Sequence, residues 1–114
     1  MLQILEQTHG NVIATKAYKS LKPSDYEKLH PIIHNILEDG KKVRWFLEVS
    51  KLEEWPSDKN MVCINHAEEF EKICLIGAEE LDNRIVALLV PFKNAKVRFF
   101  TVENFIHAQA WINE

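Results

Sequence analysis

VRWFLEV, residues 43–49, decides how the rest of the chain is read. The run is β-branched and aromatic, yet its apolar side chains do not alternate cleanly with polar ones, as a strand with one wet face requires. A strand covered on both faces fits instead, and such strands stand in the middle of parallel sheets. KICLIG, residues 72–77, has the same character and ends in a glycine suited to a tight β-to-α loop. KVRFF, residues 96–100, is the last run of this kind.

Helical patterns separate these strands. In KPSDYEKLHPIIHNILEDG, residues 22–40, Tyr26, Leu29, Ile33, Ile36 and Leu37 fall on one face at helical period. Ser24 is the expected N-cap, Asp25 and Glu27 sit near the positive end, and Gly40 signals the C-cap. Pro31 predicts a kink, because it removes one hydrogen bond and crowds the preceding turn. AEELDNRIVALLV, residues 78–90, repeats Leu81, Ile85, Leu88 and Leu89 behind Glu79 and Glu80 and stops at Pro91. The last pattern, residues 101–114, has Thr101 as cap and an inner face of Phe105, Ala108 and Ile112 or Trp111. Residues 57–67 are ambiguous: MVCI passes for a strand, but SDKN before it and NHAEEFEK after it favour a helix.

Ahead of all this, LQIL at 2–5 and NVIATK at 11–16 flank THGN, which predicts an antiparallel hairpin turning at Gly10. The order ββαβαβαβα implies an α/β fold, a single domain over residues 1–114. Its mixed, mostly parallel sheet has four or five strands flanked by about four helices.

With 114 residues, 46% of them hydrophobic and 27% charged, the chain can bury one core. A net charge of −3 leaves no basic footprint for nucleic acid. The N-terminus has neither the basic nor the apolar region of a signal peptide, so the expected location is cytoplasmic. The longest apolar run, IVALLV at 85–90, is far short of the ~20 residues that span a bilayer. Cys63 and Cys74 read as small buried hydrophobes. No Ser-His-Asp order, phosphate loop or helical His-Glu-x-x-His is present, so the expectation is a protein that is not an enzyme. His30 and His34 are four apart, a spacing that can bring two imidazoles to one metal. Without a third ligand at suitable spacing they read as surface histidines, with His9, His66 and His107 scattered and no metal or cofactor assigned.

Three segments carry a family resemblance: GNVIATKAYKSLKPSDYEKLHPII, FEKICLIG, and VPFKNAKVRFFTVENFIHAQAWI. In the last, the Pro-Phe, the short turn, the Val-Arg-Phe-Phe strand and the Ala-x-x-Trp close of the final helix resemble the SpoIIAA-like family. This family shares the STAS fold of bacterial anti-sigma factor antagonists and is related to the CRAL-TRIO lipid-exchange architecture. The resemblance implies a non-enzymatic module acting by protein–protein contact, with a homodimer or another protein as partner. Its alternative is a CRAL-TRIO-like pocket for a small apolar ligand or lipid, or peripheral membrane contact.

The antagonists' phosphorylated serine stands at the start of the helix after the central strand, and Ser57 is the nearest topological match. The antagonists carry Asp-Ser-(Ser/Thr)-Gly, whereas Trp-Pro-Ser-Asp-Lys-Asn lacks the glycine and puts the acid after the serine. Ser57 therefore reads first as an N-cap worth about 1 kcal/mol and second as a phosphorylation site. The contact candidates are Trp55, Ser57 and Asp58, in a loop expected from residue 50 to 58, and the apolar Val86, Val90 and Phe92. Together with Trp45, the apolar ones either complete the core or line a pocket or interface.

Overall fold

A computed structural model describes residues 1–54, 66–77, 89 and 91–114, leaving aside the side chains of Pro23 and Glu54. The hairpin expected at the N-terminus forms from β1 (Leu2–Ile4) and β2 (Val12–Ser20), paired antiparallel. Next come α1 (Pro23–Glu27), α2 (His30–Glu38) and β3 (Val43–Glu54). A 3₁₀ turn (Ala67–Glu69) leads into β4 (Phe70–Ile76), and β5 (Lys96–Phe100) is followed by a second 3₁₀ turn (Val102–Asn104) and α3 (Phe105–Asn113).

The sheet order is β1-β2-β3-β4-β5, with β2 to β5 all parallel. The expected five-stranded mixed α/β sheet is therefore present. Because β3 is added in parallel beside β2, a right-handed crossover places the helices between them on one face of the sheet. The first crossover obeys this: Tyr26, Leu29, Ile33 and Ile36 pack with Ile13, Trp45, Leu47, Ile73 and Leu75 in the larger core. The opposite face presents Val12, Ala14, Phe46, Cys74 and Ile76, and α3 covers it with Ala108 and Ile112.

Trp45 belongs to the larger core, 1% exposed. Its Nε1–H donates to Thr15 Oγ1 at 2.9 Å, and that hydroxyl donates to the Phe46 carbonyl at 3.2 Å, so each buried polar atom is satisfied. Phe70 and Phe92 complete an aromatic trio with it, at centroid distances of 4.9 to 6.0 Å.

Four local expectations change. Lys22, not Ser24, is the N-cap of α1: Pro23 takes the first helical position, where its missing N–H costs nothing, and Asp25 accepts the Lys22 N–H at 2.8 Å. Pro31 does not kink one helix but separates two. Its absent N–H would have reached Glu27, where α1 ends, and it sits in the first turn of α2, where proline is tolerated. The loop expected from residue 50 is strand as far as Glu54, because β2 runs on to Ser20 and pairs Tyr18 with Lys51 and Lys19 with Leu52 past a bulge. Glu53 thus lies in β3. Finally, Ala67 opens a 3₁₀ turn after His66 in the left-handed region, so it does not close a helix. The rest of the helix expected at 57–67, and that at 78–90 apart from Leu89, lie outside the described residues. Leu89 packs against the larger core.

The C-terminus of α2 closes as expected. Gly40, at φ +75°, donates to Leu37 O at 3.0 Å and Lys41 N–H to Ile36 O at 3.2 Å, the paired bonds of a Schellman motif.

Candidate functional site

The α3 face of the sheet is the least covered part of the described molecule. A nine-residue helix is about 13 Å long and ~10 Å across, while five strands span about 19 Å between outer axes. One helix cannot roof such a face, so space remains on both sides of α3.

Strand register arranges this face in rows. The lowest holds Val12, Arg44, Lys72 and Lys96; above it stand Ala14, Phe46, Cys74 and Arg98, and then Lys16, Glu48, Ile76 and Phe100. Basic side chains in the lowest row meet the negative end of α3. Arg44 donates to Ile112 O at 3.0 Å, a carbonyl the helix leaves open, and Lys72 donates at 3.2 Å to Trp111 O, which also accepts the Glu114 N–H. Arg44 also pairs with Glu71 at 2.5 Å. The Lys72 ammonium lies 5.0 Å from the Trp111 ring centroid and the Arg98 guanidinium 5.6 Å, with Arg98 also 5.0 Å from the Phe100 ring. At the other end of α3, Phe105 meets Phe46 edge-on at 5.3 Å.

On the β2 side of α3 lies a cleft of about 320 Å³. Its floor and walls are Val12, Ala14, Phe46, Ala110 and Ile112, and its rim is made of Gln7, His9, Gln109 and Asn113. The space exists in part because Ala14 on the strand stands where a larger side chain would fill it. On the β5 side a second cleft of about 520 Å³ is more polar, with Arg98, Asn104, His107 and Glu114 among its lining. The outer surface of α3 and the turn before it carries Val102 at 52% and Ile106 at 78% exposure.

In the third row Lys16 and Glu48 pair at 3.3 Å, and Ser50 Oγ donates to the same carboxylate oxygen at 2.7 Å. Burial opposes the charge on Lys16, but Glu48 and Tyr18 together outweigh it and hold the ammonium above its ordinary pKa. Cys74, buried on the same face, is pushed up to about 12 by desolvation, with Arg98 opposing weakly, which leaves it an unreactive thiol.

The sequence candidates fare unequally. Phe92 is a core residue, 3% exposed, and does not face solvent. Trp55, Ser57, Asp58, Val86, Val90 and Cys63 lie outside the described residues. His66, read as scattered, comes to the same cavity of about 170 Å³ as His30 and His34, and His30 Nε2 is buried there without a hydrogen-bond partner. Among the described residues no group of three His, Cys, Asp or Glu side chains is placed to hold a metal ion. The cleft beside α3 went unnoticed in the sequence. The one local sign of it is a final helix carrying Ala108 on its buried face where a larger side chain would reach further across the sheet.

Among the described residues no helix is long and apolar enough to cross a membrane. No curated protein matches the sequence. Among solved structures, an uncharacterised DUF3478-family protein from Shewanella loihica PV-4 with a SpoIIAA-like fold is similar, with a TM-score of 0.63 and 21% identity. The match covers 97% of this chain and 93% of that one. The SpoIIAA-like family model matches residues 12–113, from the first residue of β2 to the last of α3, and the chain therefore belongs to the SpoIIAA-like family.

Proposed function

We propose that the protein is a non-enzymatic interaction module that works by contact with another protein, a second copy of its own chain being the simplest partner. The observation that carries this reading is the exposure of Val102 and Ile106, two large apolar side chains four residues apart on the outer surface of the last helical segment. Unpaired apolar surface of this kind gains free energy when covered, and a patch on one helix face can meet itself across a two-fold axis. The segment after β3, with Trp55, Ser57 and Asp58, is the other proposed contact surface, and Ser57 there serves as a cap or accepts a phosphate.

Analytical ultracentrifugation of wild type and Ile106→Asp tests the reading. The wild type is expected to self-associate reversibly and the variant to stay monomeric with an unchanged melting temperature. A wild type that is monomeric up to its solubility limit rules out the second copy as partner.

A second reading, a carrier or sensor of a small apolar ligand, is favoured by the cleft between α3 and β2. At about 320 Å³ it falls at the small end of the range of ligand sites, roughly 300–1,000 Å³, and it has the usual apolar floor with a few polar groups at the edge.

A further inference from the structure

We infer that the cleft between α3 and β2 binds an uncharged, largely apolar small molecule that carries a single hydrogen-bonding group. The inference rests on the second reading above and adds the site, the residues and the ligand's charge.

The floor is Val12, Ala14, Phe46 and Ile112, all at most 4% exposed, so a ligand there meets a wall the fold has already built. An apolar body gains by leaving water against it. The rim offers only side-chain amides and one imidazole. No Lys, Arg, Asp or Glu is among its lining residues, and Arg44, bonded to the Ile112 carbonyl at its edge, is also held by Glu71 and is not free to receive an anion. His9 Nδ1 is 2.5 Å from the Gln7 carbonyl, so the ring donates there; in the neutral tautomer its other nitrogen is an acceptor for a ligand N–H or O–H. Gln109, half-buried at the helix edge, adds a side-chain amide that donates or accepts. A charged ligand would surrender its hydration without an opposite charge to replace it. An uncharged one with a single polar group loses little.

The neighbouring sites differ in the property that matters. The cleft on the β5 side is lined by Arg98, His107 and Glu114 and carries charge of both signs. The histidine-lined cavity beside α2 is roughly half the size.

Titration with N-phenyl-1-naphthylamine, an uncharged fluorescent three-ring amine, tests the assignment in wild type, Gln109→Trp and Glu38→Trp. Gln109 is half-buried at the edge of this cleft and does not line the one on the β5 side, so an indole there fills the space without entering the core; Glu38 is exposed on α2, on the far face of the sheet. Wild type and Glu38→Trp are expected to give the same saturable enhancement, and Gln109→Trp to lose at least about tenfold in affinity. Amide shifts in the wild type should cluster at Val12, Ala14, Phe46, Gln109 and Ile112, a readout that does not depend on the variant folding. The sulfonated probe 8-anilinonaphthalene-1-sulfonate is expected to bind about tenfold more weakly.

If no uncharged probe binds the wild type, the ligand reading and this site fall together. If the probe binds but Gln109→Trp binds it equally and the shifts map elsewhere, ligand binding stands and this site is overturned. Equal affinity for the sulfonate overturns the uncharged class alone.

Discussion

Asp25 shows how one side chain ties distant parts of the chain together. Buried at 6% exposure, its carboxylate accepts the Lys22 N–H at 2.8 Å and the Leu2 N–H at 3.3 Å, with Lys28 Nζ 3.7 Å away. Burial alone would raise its pKa, but the Lys22 amide, the amino terminus, the Leu2 amide and Lys28 together outweigh it and hold the value below the ordinary one. A carboxylate with a lowered folded-state pKa stabilises the fold above its unfolded value, near pH 3.9, and loses that contribution as pH falls through the folded one. Asp25→Asn should therefore cost about 1–2 kcal/mol at neutral pH in urea unfolding, with the gap to wild type closing only below about pH 4. A gap that persists unchanged at pH 2 would mean the charge is not the cause. Gly77 is the second such residue. At φ +86°, its missing Cβ would stand 2.7 Å from Ser50 Cβ and 2.9 Å from Ser50 Cα, so β4 leaves the sheet directly against β3. Gly77→Ala should cost about 2 kcal/mol or more by combined strain and overlap; a melting temperature equal to wild type would refute the close approach. The sequence marked Gly77 as the end of a strand, but the pressure from Ser50 comes from 27 residues away and has no local signature.

At the scale of elements, the legible features were those whose cause is local. Apolar runs without alternation gave β3, β4 and β5, and the face of Tyr26, Leu29, Ile33 and Ile36 marked the first helical layer. Boundaries set by partners were misread: β3 outlasts its apolar run because β2 continues beside it, and Lys51 and Glu53, inside the loop expected from residue 50 to 58, are the wet positions of that longer strand. Pro31 was legible as a disturbance but not as a division, since kink and break differ only in how the surrounding core receives the two pieces. For α3, attachment rests on its last carbonyls as much as on its apolar face, which is short. Arg44→Met removes the bond to Ile112 O while keeping the aliphatic stem. It should cost about 1 kcal/mol and speed amide exchange within α3 while β3 and β4 stay protected. Uniform loss of protection would mean the arginine supports the whole sheet and not the helix end.

At the scale of the molecule, the sheet order decides where binding can occur. The first crossover lies on one face, and among the described residues the opposite face is covered by the one helix that follows the last strand. Fold and family were readable because they depend on pattern. The clefts were not, because each is a difference between the area of a sheet and the width of what covers it, and the Ala14 and Gln109 that line one of them are 95 positions apart in the chain. The same arrangement sets an order of events during synthesis. β1 to β4 and their crossover layer can assemble while the chain is still emerging, but Val12, Ala14, Phe46, Cys74 and Ile76 stay bare until α3 has left the ribosome. For that interval the nascent protein is a half-roofed sheet, and its safety from aggregation depends on how quickly nine residues can find Arg44 and Lys72.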